Sequence, residues 1–125
     1  MAKIKHIAIV CMDPPKLAQF YCEVFGMEVL ERKGENGRKA VFLTDGYMNL
    51  ALLSQKAEGK PNGLNHFGFQ IEDIDAVKAG LKKWDVVGPA KRPPDRTYAE
   101  ERATDPEGNN FDLNMSGYQL NRHAV

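Results

Sequence analysis

The sequence has few cysteines, no excess of charge of either sign and no long hydrophobic run. Its 125 residues contain two cysteines, Cys11 and Cys22, which are not arranged as Cys-x-x-Cys. This scarcity argues against a disulfide framework and against a zinc site built from thiolates. We therefore expect both cysteines to be reduced, buried thiols.

Charge and hydropathy exclude further classes of protein. Seventeen basic residues balance seventeen acidic ones, so the strongly basic surface that binds nucleic acid or acidic membranes is missing. No apolar run has the length of a membrane-spanning helix, and the N-terminus lacks the apolar stretch of a secretory signal. We expect a cytoplasmic protein whose partner is a small molecule, rather than nucleic acid or a membrane.

What the sequence does contain is an internal repeat. His6-Ile-Ala-Ile-Val resembles His66-Phe-Gly-Phe-Gln, and each histidine precedes an aspartate at the same offset. Three kinds of residue recur sixty positions apart: His6 and His66, Asp13 and Asp73, and Thr44 and Thr104. A fixed period of this size marks one structural unit that is used twice. The sequence thus predicts two related units, each with a histidine on a strand.

Hydrophobic periodicity predicts the order βαβββ in each unit. Residues 3–10 alternate like a strand, and a helix follows between a cap at Asp13 and Gly26. A second strand at residues 64–71 and a helix behind Asp73 repeat this pattern. The remaining predicted strands are 27–32, 40–43, 47–53, 84–88, 98–104 and 110–115.

We expect one α+β domain over residues 1–125. Its first module covers residues 3–53 and its second covers residues 64–116. The polar segment 54–63, which contains two glycines and a proline near its end, is predicted to link them. Residues 117–125 lack periodicity and are predicted to form a tail.

The alternation of strand residues places several polar side chains on one face. Asn110, Asp112 and Asn114 alternate with apolar residues, so one face of the last strand is polar. Small residues lie two positions after His6, His66 and Asn49, on the same faces: Ala8, Gly68 and Ala51. A sheet packed only as a core more often carries large side chains at such positions. These faces therefore leave room for a ligand.

Two imidazoles and one carboxylate form a donor set that binds divalent transition metals. His6, His66 and Asp112 are accordingly candidate metal ligands. The alternative for either histidine alone is a structural residue that hydrogen-bonds within the fold.

Candidates for acid, base and anion-binding roles come from the strand predicted at residues 98–104. Tyr98, Glu100 and Arg102 share one face of it. An arginine there can pair with a substrate carboxylate or phosphonate. The alternative is an ion pair between Arg102 and Glu100 or another surface acid.

Four segments together resemble the vicinal oxygen chelate superfamily, which includes glyoxalase I, extradiol ring-cleaving dioxygenases, methylmalonyl-CoA epimerase and bleomycin-resistance proteins. They are Lys5-His6-Ile-Ala-Ile, Phe20-Tyr-Cys-Glu-Val-Phe-Gly-Met27, Asn65-His66-Phe-Gly-Phe69 and Asp105-Pro-Glu-Gly-Asn-Asn-Phe-Asp112-Leu113. The resemblance implies two tandem βαβββ modules that form a curved, mixed β-sheet cup with the helices outside. It also implies a homodimer, in which modules complete each cup across the interface.

By position, the resemblance implies metal ligands at His6, His66 and Asp112, and places Asn49 where glyoxalase I-like members carry a further carboxylate. The implied cofactor is a divalent ion, Fe, Mn, Zn or Ni. The usual final ligand is Glu, and Asp112 is shorter by about 1.5 Å of reach. Arg102 stands where the dioxygenases and fosfomycin transferases carry a tyrosine.

The resemblance implies a metal-dependent enzyme that binds its substrate through two adjacent oxygens. Its reaction would be ring cleavage by a dioxygenase, or lyase or isomerase chemistry. The alternative is a metal-free protein that binds a small molecule such as an antibiotic, as bleomycin-resistance proteins do. Scaffolds of this kind serve several chemistries, so the resemblance favours the fold more strongly than any one reaction.

Overall fold

A computed structural model of the protein describes residues 1–86, 88–93 and 100–115, without the side chains of residues 57 and 58. The chain divides into two compact units. The N-terminal unit comprises residues 6–65, and the C-terminal unit combines residues 1–5 with the described residues from 66 to 115. The candidate Tyr98 and the predicted tail at 117–125 lie outside the described residues.

The N-terminal unit follows the predicted βαβββ order and adds a 3-10 turn at Glu35–Gly37 and one short α-helix. Its elements are β1 (Lys3–Cys11, which enters the unit at His6), α1 (Pro14–Phe25), β2 (Glu28–Lys33), β3 (Ala40–Thr44), β4 (Asn49–Ser54) and α2 (Gln55–Glu58). The strand order is β2-β3-β4-β1, in which β1 is parallel to β4 and the other pairs are antiparallel. The segment that we predicted as a linker therefore contains the helical turn α2.

Helix α1 begins and ends as its sequence predicts. The Asp13 side chain accepts a hydrogen bond from the Lys16 amide at 3.2 Å, which caps the first turn. Gly26 closes the helix with φ of 74°, a left-handed conformation that a residue without Cβ adopts readily. The helix packs on one face of the sheet, where Ala18, Leu43 and Leu52 belong to a buried apolar cluster. Polar residues of the same strands are left on the opposite face.

The C-terminal unit repeats the order βαβββ. Its elements are β5 (Gly63–Gln70, which enters the unit at His66), α3 (Ile74–Lys83), β6 (Ala90–Lys91), β7 (Glu101–Thr104) and β8 (Asn110–Asn114). Their order is β5-β8-β7-β6, in which β5 is parallel to β8 and the other pairs are antiparallel. Asp73 caps α3 through the amides of Asp75 and Ala76. The α+β class and the tandem βαβββ order that we predicted are thus confirmed.

The prediction of a strand at residues 84–88 is wrong for Trp84–Val86. The Trp84 amide donates to the Gly80 carbonyl at 3.2 Å and the Val86 amide donates to the Leu81 carbonyl at 2.9 Å, so this segment closes helix α3. Alternation over five residues does not distinguish a short strand from the C-terminal turn of a helix. The corresponding strand is β6, which has only two residues.

Within the described residues, no helix is long and apolar enough to cross a membrane.

The turn between β7 and β8 is organised by the carboxylate of Asp105. Its Oδ1 accepts hydrogen bonds from the amides of Glu107 at 2.8 Å and Asn109 at 2.9 Å, and its Oδ2 accepts one from Asn109 Nδ2 at 2.9 Å. The Asn109 amide, followed by the Asn109 side chain, lowers the pKa of this carboxyl below its usual range. This turn therefore sets the hairpin that positions β8.

Replacing Asn109 by alanine is expected to raise the pKa of Asp105 part of the way towards its ordinary value, because the amide donors remain. A carboxyl group whose pKa is lowered by folding stabilises the fold at pH values above its unfolded-state pKa of about 3.9. This contribution to stability is lost as the pH falls through the folded-state pKa. Titration of the Asp105 carboxyl by NMR measures the change, with Gln19→Ala as the control for loss of an exposed amide. An identical Asp105 titration in the Asn109 variant and wild type would contradict this role.

Candidate functional site

The C-terminal unit has one aromatic face and one polar face. Phe67, Phe69 and Phe111 pack together with ring centroids 5.4 to 6.2 Å apart and belong to the apolar cluster of this unit. Asp112 is paired in register with Gly68 on one side and with Arg102 on the other. Since neighbouring residues of a strand point to opposite faces, Asp112 and Arg102 lie on the face opposite Phe111. The polar face predicted for the last strand is present.

The carboxylate of Asp112 is the centre of this face. Only 1% of its surface is exposed. Arg102 donates to it twice, from Nε to Oδ1 at 2.6 Å and from Nη2 to Oδ2 at 3.2 Å. His66 Nε2 lies 3.0 Å from Oδ2, and the His66 side chain is 9% exposed. Of the predicted site residues, the structure therefore brings His66 and Arg102 each into direct contact with Asp112.

The geometry of His66 and Asp112 fits a shared metal ion. Two ligand atoms that each lie about 2.1 Å from a metal are separated by about 3.0 Å at the right angle of an octahedral site and by about 3.4 Å at a tetrahedral angle. The separation of His66 Nε2 and Asp112 Oδ2 is 3.0 Å, and both side chains are buried. The shorter reach of aspartate does not keep the carboxylate from the imidazole. One nitrogen and one oxygen donor in this arrangement form a candidate metal-binding pair.

In the part of the chain that the structure describes, Arg102 does not form the ion pair with Glu100 or another surface acid that was the alternative to substrate binding. It pairs with the buried Asp112, whereas the Glu100 side chain accepts a hydrogen bond from the Met115 amide at 2.6 Å. Two of the five guanidinium N–H groups donate to Asp112, and the other three have no partner among the described residues. Arg102 is 20% exposed, so these donors are available to a ligand.

The N-terminal unit buries the other two predicted ligands next to each other. His6 on β1 and Asn49 on β4 are in register across the parallel strand pair, and they are 8% and 5% exposed. Asn49 Oδ1 is buried and has no hydrogen-bond partner within the described part of the chain. An unsatisfied buried carbonyl oxygen is unfavourable without a ligand, water or ion. The predicted ligands are thus grouped as His6 with Asn49 in one unit, and His66 with Asp112 in the other.

The sequence did not identify Asn114 as a site residue. It is 1% exposed, and its Oδ1 is buried without a hydrogen-bond partner among the described residues. It lies two residues after Asp112 on the same face of β8. That spacing was visible in the sequence, but burial of the amide was not.

Comparison with known proteins identifies a matching family and individual relatives of this chain. The model of the Glyoxalase/Bleomycin resistance protein/Dioxygenase superfamily matches residues 3–113. A probable trivalent organoarsenical cleaving enzyme of Bacillus subtilis (strain 168) is 31% identical over 117 residues, which cover 89% of this chain and 78% of the relative. Human mitochondrial methylmalonyl-CoA epimerase is 27% identical over 95 residues, which cover 66% of this chain and 54% of the relative.

Solved structures share the fold at lower sequence identity. A hypothetical protein from Bacillus halodurans C-125 superposes with a TM-score of 0.71 at 16% identity, covering 94% of this chain and 96% of that chain. Methylmalonyl-CoA epimerase from Mycobacterium tuberculosis superposes with a TM-score of 0.65 at 16% identity, covering 94% of this chain and 89% of that chain.

Proposed function

Because the chain belongs to the glyoxalase/bleomycin resistance protein/dioxygenase superfamily, we propose that it is a divalent-metal-dependent enzyme that binds a small molecule through two adjacent oxygens. The observation that carries this proposal is the buried pair of His66 and Asp112, whose donor atoms are 3.0 Å apart. The 3.0 Å separation suits two ligands of one metal ion and also a hydrogen bond between imidazole and carboxylate, and metal analysis distinguishes these two roles.

We propose that His6 joins His66 and Asp112 as a ligand, with Asn49 as a weaker fourth donor. The support is the internal repeat, which makes His6 the counterpart of His66, together with the unsatisfied carbonyl oxygen of Asn49. Two imidazoles and one carboxylate suit Fe, Mn, Zn or Ni. Such an ion, when bound, supplies a Lewis acid that polarises the substrate oxygens.

The residues around the ligands would bind and orient the substrate. Arg102 holds Asp112 in place and has three further N–H groups for an anionic substituent such as a carboxylate. We propose Glu100 and Tyr98 as the acid and base candidates that exchange protons with the substrate. Glu100 also accepts a hydrogen bond from the Met115 amide, which holds its carboxylate in one position.

Two reaction classes follow from this donor set. Two histidines and one carboxylate are the ligands of non-haem iron oxygenases, which favours ring cleavage of a catechol-like substrate. Stabilisation of negative charge on paired oxygens also serves a lyase, isomerase or epimerase. Relatives with enzyme names of the second kind include the epimerase and the organoarsenical cleaving enzyme.

The thiols of this chain do not favour a trivalent arsenical as the substrate. Trivalent arsenic is a soft electrophile that binds thiolates. Cys11 is buried, and burial raises the pKa of its thiol, which lowers the population of the reactive thiolate. Cys22 on α1 is only partly buried, contrary to the expectation of a buried thiol, and it packs against the apolar cluster that contains Cys11. We therefore propose a substrate that binds through oxygen.

The second candidate function is a metal-free small-molecule binder. The ion pair between Arg102 and Asp112 favours it, since this pair already neutralises the carboxylate without a metal. From the superfamily resemblance and the composition, we also propose that the protein is a cytoplasmic homodimer in either case.

Metal analysis separates the two functions. We expect protein purified without a histidine tag and loaded with Fe(II), Mn(II), Zn(II) or Ni(II) to retain about one equivalent per chain, and to melt at a higher temperature by mass action. His66→Ala should lose both effects, whereas Lys78→Ala, which removes an exposed side chain of α3, should keep them. Less than about a tenth of an equivalent with no melting shift would support the metal-free binder. Oxygen uptake with catechols then distinguishes a dioxygenase from the other reactions.

A further inference from the structure

Arg102 engages the two oxygens of Asp112 unequally. The shorter hydrogen bond joins Arg102 Nε to Oδ1 at 2.6 Å, and the longer one joins Nη2 to Oδ2 at 3.2 Å. The oxygen with the longer bond is the one that lies 3.0 Å from His66 Nε2. The guanidinium therefore contacts both oxygens but holds Oδ1 more closely, whereas Oδ2 also contacts the imidazole.

We propose that Arg102 is a positioning residue that restricts Asp112 to a single metal-ligating oxygen, Oδ2, and thereby sets the affinity and selectivity of the metal centre. This inference rests on the proposed function, because it concerns the same metal site. Arg102 acts through Asp112 and is not itself a ligand. A guanidinium offers only N–H donors and no acceptor lone pair for a metal ion.

The charge of Arg102 supplies one part of the effect. It offsets the negative charge of Asp112 and repels a divalent cation bound within a few ångströms. With both side chains largely withdrawn from water, this repulsion is screened less than at a surface. Metal affinity in the wild type should consequently be lower than two imidazoles and one free carboxylate would provide.

The geometry of Arg102 supplies the other part. Hard cations such as Mn(II) depend on carboxylate oxygens, and a bidentate carboxylate suits them, whereas Zn(II) and Ni(II) bind well to imidazole. When Asp112 offers only Oδ2, the metal ion has one carboxylate oxygen fewer as a ligand, and its imidazole ligands are unchanged. Arg102 should accordingly shift selectivity away from manganese and towards metals that prefer nitrogen.

The same ion pair explains how the C-terminal unit accommodates the buried carboxylate of Asp112. A carboxylate that is 1% exposed is strongly destabilising unless a cation or several hydrogen bonds compensate it. Arg102 is the charged partner that the structure places on Asp112, through a forked contact that a lysine does not reproduce.

The test compares wild type, Arg102→Gln and Arg102→Lys by competition between the full chain and a metal-binding indicator for Mn(II) and Zn(II). We expect Arg102→Gln to bind Mn(II) on the order of tenfold more tightly, to bind Zn(II) with a smaller gain, and thus to raise the Mn(II)-to-Zn(II) affinity ratio. Arg102→Lys keeps the charge but loses the fork, so its ratio should lie between the other two. Arg38→Gln, which removes an exposed arginine of the N-terminal unit, should match wild type.

An unchanged or reduced affinity ratio in both Arg102 variants would overturn the inference and leave the metal site itself intact. If Arg102→Gln does not fold, the Mn(II)-to-Zn(II) affinity ratio of Arg102→Lys tests the inference. A chain that binds neither metal in any variant would overturn the proposed function as well.

Discussion

Replacing Asp112 by alanine is expected to lower the free energy of unfolding by about 3 kcal/mol and to abolish metal binding. The variant leaves Arg102 and His66 without the carboxylate that each contacts at 3.2 Å or less. Removing one partner of a buried ion pair costs about 3 to 5 kcal/mol. We expect a loss at the lower end of this range, because Arg102 is 20% exposed and regains part of its hydration when the carboxylate is removed.

Urea unfolding of the metal-free protein measures this loss. Glu107→Ala removes an exposed carboxylate from the neighbouring turn and should change the free energy of unfolding by less than about 0.5 kcal/mol. Combining Asp112→Asn with Arg102→Gln isolates the interaction, since the double variant should be more stable than the two single losses predict. Strict additivity of the two changes would show that the side chains of Arg102 and Asp112 are not energetically coupled.

Replacing Phe111 by alanine is expected to lower the free energy of unfolding by about 3 to 5 kcal/mol. Phe111 is 8% exposed, and its ring packs against Phe67 and Phe69 with centroids 6.2 and 5.7 Å away. Truncation leaves a cavity between β8, β5 and α3 that these rings do not refill completely. Because Asp112 follows Phe111 on β8, we also expect weaker metal binding.

Thermal or urea unfolding measures the stability, and metal competition measures the effect on the site. Phe111→Leu retains most of the volume and should lose markedly less stability. Trp84→Ala removes a larger aromatic side chain that is 71% exposed and should have only a small effect. A Phe111→Ala variant as stable as Trp84→Ala would mean that the aromatic face does not anchor β8.

Local rules predicted most of the secondary structure. Asp13 and Gly26 bound α1 within one residue of the predicted ends, because capping and left-handed termination are properties of single side chains. Alternation placed Asp112 on the polar face of β8, opposite Phe111. Helical spacing reached Trp84, the C-cap of α3, but alternation also predicted a strand from Trp84, and this strand is wrong because a helix terminus resembles a strand over a few residues.

Particular residues of the candidate site were predictable to different degrees. The sixty-residue repeat pointed to His66, strand alternation placed Asp112 on a polar face, and the superfamily resemblance grouped the two as ligands. Their direct contact is a feature of the tertiary structure. Burial of Asn114 and the unsatisfied oxygen of Asn49 were not predictable. Both depend on which side chains surround the amide, and periodicity contains no information about those neighbours.

The amino-acid sequence by itself determined the order of the elements, their caps and the face on which each polar residue lies, because these depend on neighbours a few positions apart. Only the tertiary structure decided that Arg102 pairs with Asp112 while Glu100 holds the Met115 amide. On the basis of the sequence, both Asp112 and Glu100 were possible partners of Arg102. The choice between them follows from the register of β7 on β8, which sets Arg102 directly beside Asp112 and buries their contact.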